Sequence, residues 1–470
     1  MLKHLGTFAF LGPTLALPVT SLPVTWRSQP WFTDLSVQPN ETEFSGYKPP
    51  IVTTFIKDGW LHLPRFKGIE LVELDTIQQK NDRRSWGEAM QQNLVFNGEL
   101  QQVPPQIEAV DAVLQQLSSP LAGAMLVLPC GFGKTVCALY IALQLKRRAL
   151  ILVHTDALAV QWCEKINAFI PDSSVGRLQQ NVVDVIGKDF VVGLVQSLEQ
   201  RDYDKSILAT FGTIIIDEAH HMGAPSFLRA LQKLPARYIL GLSATPDRKD
   251  GLGDILPWVM GPIAYRSVRM PERVDVFIYN YIDEKNQVEL FTRNGVIKYS
   301  EMLNQLTANL NRNRYIVHLI NQLLAAGRNI VVLSQRRTQL QTLFDCLIHE
   351  NVDPTTVGLV FGGTKSCVRK QVFDTARVIL STYSYAAEGI DIPRLDTLVL
   401  ASPGMNLEQT IGRILRQYPD KPIPMVVDVS DRFSVFAGMS TKRVKFYISQ
   451  GYLRHFIKYI EEKEQRQVST

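Results

Sequence analysis

The chain has 470 residues, more than one compact core can organise, so we expect roughly two to four domains. Its hydrophobic fraction of 46% and charged fraction of 20% are typical of a soluble globular protein. Lys and Arg number 50 against 45 Asp and Glu, a net charge of +5, which excludes a strongly basic protein and confines any nucleic-acid site to a local patch.

The cysteines and the N-terminus indicate where the protein works. The five cysteines are an odd number without a C-x-x-C pair, which argues against a disulfide framework or a zinc site and fits a reducing compartment. The first residues, MLKHLGTFAFLGPTLALP, are similar to a secretory signal, but Pro13 and Pro18 interrupt the apolar run. No run of about 18 apolar residues occurs, so we predict an intracellular protein without a membrane partner.

Residues 1–97 are the least regular part of the sequence. Proline-containing stretches such as SLPVTW and YKPPIV show neither the helical period nor the strand period. We predict a small N-terminal accessory domain here.

Two α/β domains are predicted next. Residues 98–268 alternate helix-like segments with the apolar runs AMLVL, ALILV, DFVVGLV, TIIID and YILGLSA. Residues 269–435 repeat the pattern with VDVFIYNY, NIVVLS, TVGLVF, ARVILST, DTLVLA and PMVVDV. Because continuous apolarity marks strands that are covered on both faces, each set predicts a parallel sheet flanked by helices.

The tail, residues 436–470, is helical in composition and mixes basic with aromatic residues. One interpretation is nucleic-acid binding, with cations on phosphates and tyrosines stacked on bases, through Lys442, Arg443, Lys445, Arg454, Tyr447 and Tyr452. The other is an amphipathic helix packed on the second domain, and we favour it.

The stretch LPCGFGKTV, Leu128 to Val136, follows an apolar strand and precedes a helix-like run. It predicts a phosphate-binding loop, although Leu128 stands where the general pattern G-x-x-x-x-G-K-[ST] has glycine. A strand, a glycine turn and a helix N-terminus aim backbone amides at an anion. The predicted nucleotide ligands are Pro129, Cys130, Gly131, Phe132, Gly133, Lys134 and Thr135, of which Lys134 reaches the β- and γ-phosphates and Thr135 ligates Mg²⁺. The alternative is a glycine turn in a loop.

The stretch TIIIDEAHH places Asp217 and Glu218 at the carboxyl end of a buried strand. Ligands of open α/β sheets bind at that edge, so both carboxylates are predicted to face the phosphate-binding loop. Asp217 suits holding Mg²⁺ or the nucleotide, and Glu218 suits orienting and deprotonating a water molecule. Two surface acids after a strand are the alternative.

Together LPCGFGKT, DEAHH and LSAT resemble motifs I, II and III of the superfamily 2 helicases and translocases. That family tolerates a residue other than glycine at the place of Leu128. The loop and the DEAHH box are most similar to the XPB-like branch, and longer stretches resemble helicases of nucleocytoplasmic large DNA viruses. The resemblance implies two tandem RecA-like domains, a small N-terminal domain and a helical C-terminal tail, with ATP and Mg²⁺ as cofactors.

The other family motifs follow in order. VHTDALAVQW resembles motif Ia, VGLVQSL the next motif that contacts the nucleic-acid strand, NIVVLSQRRTQL motif IV and STYSYAAEGIDIP motif V. The resemblance implies nucleic-acid contacts by Thr155, Gln196, Ser334 and Thr382, one in each stretch. Gly389 and Asp391 lie in STYSYAAEGIDIP, which resembles motif V and implies a place near the nucleotide.

EQTIGRILRQ, Glu408 to Gln417, is similar to motif VI. Gln409, Arg413 and Arg416 are spaced i, i+4 and i+7, so a helix would put them on one face. Arginines brought from a second domain onto a γ-phosphate stabilise its negative charge, which predicts a catalytic role for the three. A solvated cationic helix face is the alternative.

Three matches are weaker. Gln106 matches the glutamine that reads adenine in family members, and a plain glutamine at a helix start fits the sequence equally well. Ser243 and Thr245 resemble the motif that couples the nucleotide and nucleic-acid sites. His220 and His221 resemble lid residues, and adjacent positions diverge too far to share a metal ion.

We therefore predict an ATP- and Mg²⁺-dependent motor that acts on DNA, or alternatively on RNA, in viral transcription, replication or repair. The transcription or replication machinery is a predicted partner, and the predicted location is the nucleus, a cytoplasmic viral factory or the virion. Two other functions stay open: a duplex translocase or transcript-release factor that does not separate strands, and a non-catalytic nucleotide-gated clamp.

Overall fold

The protein is described from a computed structural model. The structure describes residues 2–39, 49–129, 131–219, 224–244, 252–267, 273–282, 288–293, 295–390, 392–404, 407–416 and 418–458. The chain divides into two compact units, Met1–Val268 and Arg269–Thr470. Each of its hydrophobic clusters lies within one unit.

The N-terminal part of unit 1 is built from short strands. They are β1 (Phe10–Leu11), β2 (Thr14–Pro18), β3 (Ser36–Val37), β4 (Ile51–Val52), β5 (Phe55–Lys57) and β6 (Trp60–Pro64). Its helices are α1 (Pro30–Thr33) and α2 (Arg65–Val72). An antiparallel sheet has the order β1-β2-β6-β5, and β3 pairs with β4. One face of the larger sheet buries Leu15, Leu17, Leu61 and Leu63.

This small N-terminal domain packs on the mainly parallel sheet that the rest of unit 1 forms. Leu15 and Leu63 belong to the same hydrophobic cluster as Ile214 and Ile216 of that sheet. Arg65 is 1% exposed and donates to the carbonyl oxygens of Leu234, at 3.3 Å, and Ala236, at 2.8 Å. Because burying an unbonded N–H group costs free energy, these two hydrogen bonds help to fix the position of α2.

The rest of unit 1 alternates strands and helices. The strands are β7 (Gly123–Val127), β8 (Ala149–Val153), β9 (Val175–Gln179), β10 (Val182–Asp184), β11 (Phe190–Leu194), β12 (Thr213–Ile216), β13 (Tyr238–Ser243) and β14 (Ile263–Arg266). The helices are α3 (Gln106–Ser118), α4 (Lys134–Leu145), α5 (Asp156–Phe169), α6 (Val195–Gln200), α7 (Lys205–Ala209), α8 (Ala224–Leu231) and α9 (Ile255–Met260).

The unit 1 sheet has the order β10-β9-β11-β8-β12-β13-β7-β14. Neighbouring strands are parallel except for the β9–β10 hairpin. Every residue of β7, β8 and β12 is buried, as the continuous apolar runs predict. The carboxyl ends of β11, β8, β12, β13 and β7 therefore lie side by side at one edge of the sheet.

Unit 2 has the same kind of architecture. Its strands are β15 (Asp275–Tyr281), β16 (Ile330–Ser334), β17 (Val357–Val360), β18 (Val378–Thr382), β19 (Thr397–Leu400), β20 (Met425–Asp431) and β21 (Leu453–Lys458). Its helices are α10 (Tyr299–Ala308), α11 (Leu310–Ala325), α12 (Arg337–His349), α13 (Ser366–Thr375), α14 (Tyr383–Gly389), α15 (Leu407–Gly412) and α16 (Ser434–Ser449). The sheet is parallel throughout its described strands, in the order β17-β18-β16-β19-β20-β15-β21.

The tail contains a helix and a strand, whereas the sequence predicted helix alone. α16 is followed by β21, which pairs in parallel with β15. Arg443 and Tyr447, on α16, are buried, and both bond to Asp428. Neither side chain is therefore available to nucleic acid, and the packed helix is the interpretation that the structure supports.

The described helices include none that combines the length and the apolarity needed to cross a membrane. The cysteines 137, 163, 346 and 367 are free thiols. Among the described residues, His, Cys, Asp and Glu side chains form no group of three that could hold a metal ion.

Candidate nucleotide and nucleic-acid sites

The loop between β7 and α4 begins by continuing the sheet. Leu128 is fully buried, and its backbone N–H donates to Ser243 O at 3.1 Å. Its side chain thus packs in the core of unit 1, where it belongs to the same cluster as Leu126. A leucine is suited to this place because its side chain fills the core. The backbone turns away from the sheet only after Leu128.

Two glycines make the turn. Gly131 has φ +88° and Gly133 has φ +82°, a region that side-chain-bearing residues rarely adopt. Phe132, between them, donates its backbone N–H to Pro129 O at 3.2 Å. Gly133 is the N-cap of α4, which has neither a side-chain cap nor an acidic residue in its first turn. The helix N-terminus is thus suited to an anion.

Gln106 lies against this turn. It is the first residue of α3, it is 6% exposed, and its Nε2 donates to Phe132 O at 3.1 Å. Its Oε1 accepts the backbone N–H of Gln101 at 3.1 Å. The structure therefore joins Gln106 to the loop.

Lys134 points back across the loop. It is 9% exposed, and its Nζ donates to Leu128 O at 3.2 Å and lies 4.0 Å from Glu218 Oε1. Thr135, the next residue, is half-buried on the first turn of α4. The cation of motif I and the acid of motif II are thus neighbours at the edge of the sheet.

Asp217 and Glu218 follow β12 directly. Asp217 is 6% exposed and accepts Trp162 Nε1–H on Oδ2 at 2.7 Å and the Glu218 backbone N–H on Oδ1 at 2.9 Å. Burial, and then the neighbouring Glu218 carboxylate, raise the pKa of Asp217 to about 6. A bound divalent cation would lower this pKa again, because it favours the ionised carboxylate. The position of Asp217 therefore suits a carboxylate that holds a cation.

These residues fit a nucleoside triphosphate with Mg²⁺. Left-handed glycines and an uncapped helix N-terminus bring backbone amides to one place, and Lys134 adds a cation there. Thr135 and Asp217 supply the hydroxyl and carboxylate oxygens that Mg²⁺ prefers. Pro129 is half-buried beside them, and Cys130 lies outside the described residues.

Two predicted nucleic-acid contacts lie together in unit 1. Thr155 follows β8 and caps α5 by accepting the Leu158 backbone N–H at 3.3 Å. Gln196 lies on α6 after β11, is exposed, and donates to His154 O at 2.9 Å. β8 and β11 pair in parallel, which brings both side chains to the edge that carries the phosphate-binding loop.

The contacts predicted in unit 2 differ from each other. Thr382 is half-buried and caps α14 by accepting the Tyr385 backbone N–H at 3.4 Å. Ser334 is fully buried, and its hydroxyl donates to Gln339 Oε1 at 2.6 Å and accepts the Arg336 backbone N–H at 3.0 Å. A direct phosphate contact by Ser334 is therefore not supported, because its hydroxyl is committed inside the protein. Gly389 ends α14.

Motif VI is only partly helical. α15 ends at Gly412, and Arg413 N–H then bonds to Thr410 O at 3.2 Å, a turn of the 3₁₀ type. Ile414 and Leu415 are buried in the core, while Arg413 and Arg416 are half-buried. The condition that one helix carries Gln409 and both arginines is therefore not met, because α15 ends at Gly412, before Arg413 and Arg416.

Several predicted residues lie outside what the structure describes. They are Cys130, His220, His221, Thr245 and Asp391, together with the side chain of Gln409. Ser243, beside Thr245, is fully buried at the end of β13, and its carbonyl accepts the Leu128 N–H.

Sequence reasoning missed Trp162. The residue stands in the stretch VHTDALAVQW, which is similar to motif Ia and predicted only a grip on nucleic acid. Its contact with Asp217 joins residues 55 positions apart, so no local pattern reveals it. A tryptophan on the otherwise aliphatic buried face of α5 is the only signal that the sequence offers.

Two family models match the chain. Residues 99–248 match "Type III restriction enzyme, res subunit", and residues 311–418 match "Helicase conserved C-terminal domain". The first range contains the loop, Asp217 and Glu218, and the second contains Thr382 and Arg413.

A protein of Acanthamoeba polyphaga mimivirus, by name an ATP-dependent RNA helicase, is 32% identical over 432 residues, 89% of this chain and 81% of its own length. Among solved structures, Saccharomyces cerevisiae Dbp5 bound to RNA and ADP BeF3 has a TM-score of 0.53 at 14% identity and covers 77% of this chain and 92% of its own. The restriction-modification enzyme LlaBIII bound to DNA has a TM-score of 0.51 at 14% identity over 77% of this chain and 32% of its own. The two parallel sheets are thus RecA-like, and the chain belongs to the superfamily 2 helicases as an ATP-hydrolysing enzyme.

Proposed function

We propose that this protein is a Mg²⁺-dependent motor that moves along DNA and separates its strands. The observation that carries the proposal is the meeting of Lys134, Asp217 and Glu218 beside a left-handed glycine turn at the N-terminus of α4. A clamp that only binds nucleotide has no use for an acid placed 4.0 Å from the lysine of the loop.

Each residue has a separate task in the proposed reaction. The amides of the loop and Lys134 hold the β- and γ-phosphates, and Thr135 and Asp217 hold Mg²⁺. Mg²⁺, when bound, neutralises charge that develops on the phosphate oxygens. Glu218 orients the attacking water and accepts its proton, a role worth about 10²- to 10⁴-fold in rate.

Gln106 is proposed to read the adenine, because its amide is already fixed against the loop. From unit 2, Arg413 and Arg416 are proposed to stabilise the γ-phosphate in the transition state, with Gln409, Gly389 and Asp391 beside the nucleotide. Such arginines contribute about 10³- to 10⁵-fold in other phosphoryl-transfer enzymes. Both arginines lie after α15, which ends at Gly412.

The strand grip is proposed to involve Thr155, Gln196 and Thr382. Each is at least partly exposed and lies at the end of a parallel strand or just after one. Hydroxyl and amide groups in such positions contact phosphates without reading sequence, as a motor requires. The affinity for nucleic acid should therefore fall steeply as salt rises, because phosphate contacts release counterions.

DNA is the proposed track because the motifs resemble the XPB-like branch. The names of the compared proteins mention RNA as well as DNA, so the experiment must separate the two. A viral setting in transcription, replication or repair is proposed from the mimivirus relative. A nuclear, viral-factory or virion location, with the transcription or replication machinery as partner, belongs to the same proposal.

The test is steady-state ATPase at low salt without polymer and with single-stranded DNA, duplex DNA or RNA. We expect at least about tenfold stimulation by DNA. Lys134→Ala should lose both nucleotide binding and turnover, and Glu218→Gln should bind ATP while its turnover falls about 10²-fold or more. Stimulation by RNA alone would reverse the choice of track, and near-normal turnover of Lys134→Ala would remove the nucleotide site.

An unwinding assay on a tailed DNA duplex distinguishes a helicase from a pure translocase. A helicase releases the displaced strand, and this release should require Glu218 just as ATP hydrolysis does. A DNA-stimulated ATPase that releases no strand would instead identify a duplex translocase or transcript-release factor.

A further inference from the structure

Trp162 lies in the core of unit 1, next to the sheet edge that carries Asp217 and Glu218. It is on the second turn of α5 and is 2% exposed. Its indole Nε1–H donates to Asp217 Oδ2 at 2.7 Å. An indole carries one donor and no acceptor, so this bond uses the whole polar capacity of the side chain.

The bond constrains the carboxylate in a way that a single donor cannot. Asp217 Oδ1 already accepts the Glu218 backbone N–H at 2.9 Å. With one donor on each oxygen, rotation about the Cβ–Cγ bond would break at least one hydrogen bond inside a buried site. The remaining lone pairs of both oxygens are therefore held in fixed directions.

We propose that Trp162 is a positioning residue that orients Asp217 for Mg²⁺. The proposal rests on the function proposed above, in which Asp217 holds the cation. Groups that orient a metal-holding side chain are typically worth roughly 10- to 100-fold in metal affinity. Trp162 does not contact the nucleotide, so its loss should leave the affinity for nucleotide without Mg²⁺ unchanged.

A packing role must be separated from this positioning role, because Trp162 also belongs to a hydrophobic cluster of unit 1. Trp162→Phe keeps an aromatic ring in the core and removes the N–H. Trp26→Phe is the matched control, since Trp26 is 5% exposed and belongs to the cluster that includes the N-terminal sheet. Thermal unfolding of both variants reports the cost of the smaller ring.

The experiment measures the binding of a fluorescent ADP to the full chain with and without Mg²⁺. The ratio of the two affinities is the Mg²⁺ enhancement. We expect Trp162→Phe to lower this enhancement about tenfold or more, with the Mg²⁺-free affinity unchanged. Trp26→Phe should keep the wild-type enhancement.

A double-mutant cycle tests whether the effect passes through Asp217. Asp217→Asn should lose most of the enhancement, and adding Trp162→Phe to it should change nothing further. An unchanged enhancement in Trp162→Phe, or an equal further loss in the Asp217→Asn background, would overturn the positioning role. If the wild-type chain itself shows no Mg²⁺ enhancement, the proposed function fails before Trp162 is considered.

Discussion

Gly133 illustrates how one residue shapes the nucleotide site. Its φ of +82° lies in the left-handed region, and a Cβ added there would overlap Gln106 Nε2. The first property permits the turn into α4, and the second permits the bond from Gln106 to Phe132 O. Backbone conformation and the contact with Gln106 therefore both require glycine at this position.

We predict that Gly133→Ala lowers the affinity for ATP about tenfold or more. Left-handed backbone costs a non-glycine residue roughly 1–2 kcal/mol, and the methyl group also displaces Gln106. Gly59→Ala is the matched control, because Gly59 has φ +79° with nothing within 4 Å of an added Cβ. Fluorescent-nucleotide titration and thermal unfolding of both variants check the prediction.

Gly59→Ala should lose stability alone, whereas Gly133→Ala should also lose nucleotide affinity. Gln106→Ala alone measures the loss of the Gln106 contact, so the further loss when Gly133→Ala is added to Gln106→Ala reports the backbone strain without the overlap. Wild-type affinity in Gly133→Ala would show that the loop is not built around this contact.

At the site, the predictions from the sequence rest on local patterns. Lys134, Asp217 and Glu218 were predicted because each follows a strand within a short pattern, and parallel strands bring their carboxyl ends together. The burial of Ser334 was not predicted, because the motif match does not reveal that its hydroxyl bonds to Gln339 inside the protein. Trp162 was missed because its partner lies 55 residues away.

At the scale of elements, strands with a local apolar pattern were predicted, whereas strands without such a pattern were missed. The apolar runs predicted β7, β8, β11, β12 and β13 of the unit 1 sheet and the strands from β15 to β20 of the unit 2 sheet. The hairpin of β9 and β10 was missed because β9 alternates in burial and β10 is exposed throughout. β21 was missed because its basic and aromatic residues fit a helix equally well, and its pairing with β15 is a long-range contact.

α16 shows how a charged residue can be structural. Arg443 is 1% exposed and donates to both oxygens of Asp428, at 2.9 and 2.8 Å, and Tyr447 donates to the same carboxylate at 2.8 Å. Burial raises the pKa of the Tyr447 phenol well above its ordinary value, so it remains a donor. The pair of Arg443 and Asp428 thus anchors α16 on β20.

We predict that Arg443→Ala destabilises unit 2 by about 3–5 kcal/mol, because it leaves the Asp428 charge buried without its cation. Lys445→Ala, an exposed change on the same helix, should stay within about 0.5 kcal/mol of the wild type. Urea unfolding of both variants measures the difference. Unchanged stability of Arg443→Ala together with weakened DNA binding would restore the nucleic-acid interpretation.

At the scale of the molecule, the two units have separate cores and separate parts of the predicted chemistry. The clusters of unit 1 contain no residue beyond Tyr265, and those of unit 2 none before Val274, among the described residues. The phosphate-binding loop, Asp217 and Glu218 belong to unit 1, whereas Arg413 and Arg416 belong to unit 2.

We predict that the fragment Met1–Val268 folds alone and binds ADP with an affinity within about threefold of the full chain, since the phosphate and Mg²⁺ ligands are all present. Its ATPase in the presence of DNA should fall about 10³-fold, because the arginines of unit 2 are missing. Arg413→Ala and Arg416→Ala in the full chain are the matched comparison. A fragment that hydrolyses ATP as fast as the full chain would exclude both arginines from the reaction.

The place of β15 in its sheet has a consequence for biosynthesis. β15 is the first strand of unit 2, yet its neighbours are β20 and β21, the last strands to leave the ribosome. At about 5–20 residues per second, the stretch from Tyr281 to Met425 takes on the order of ten to thirty seconds to synthesise. Throughout that time β15 has been synthesised but its partner strands have not, whereas the synthesis of unit 1 is already complete. Nascent unit 2 therefore needs protection from aggregation during translation.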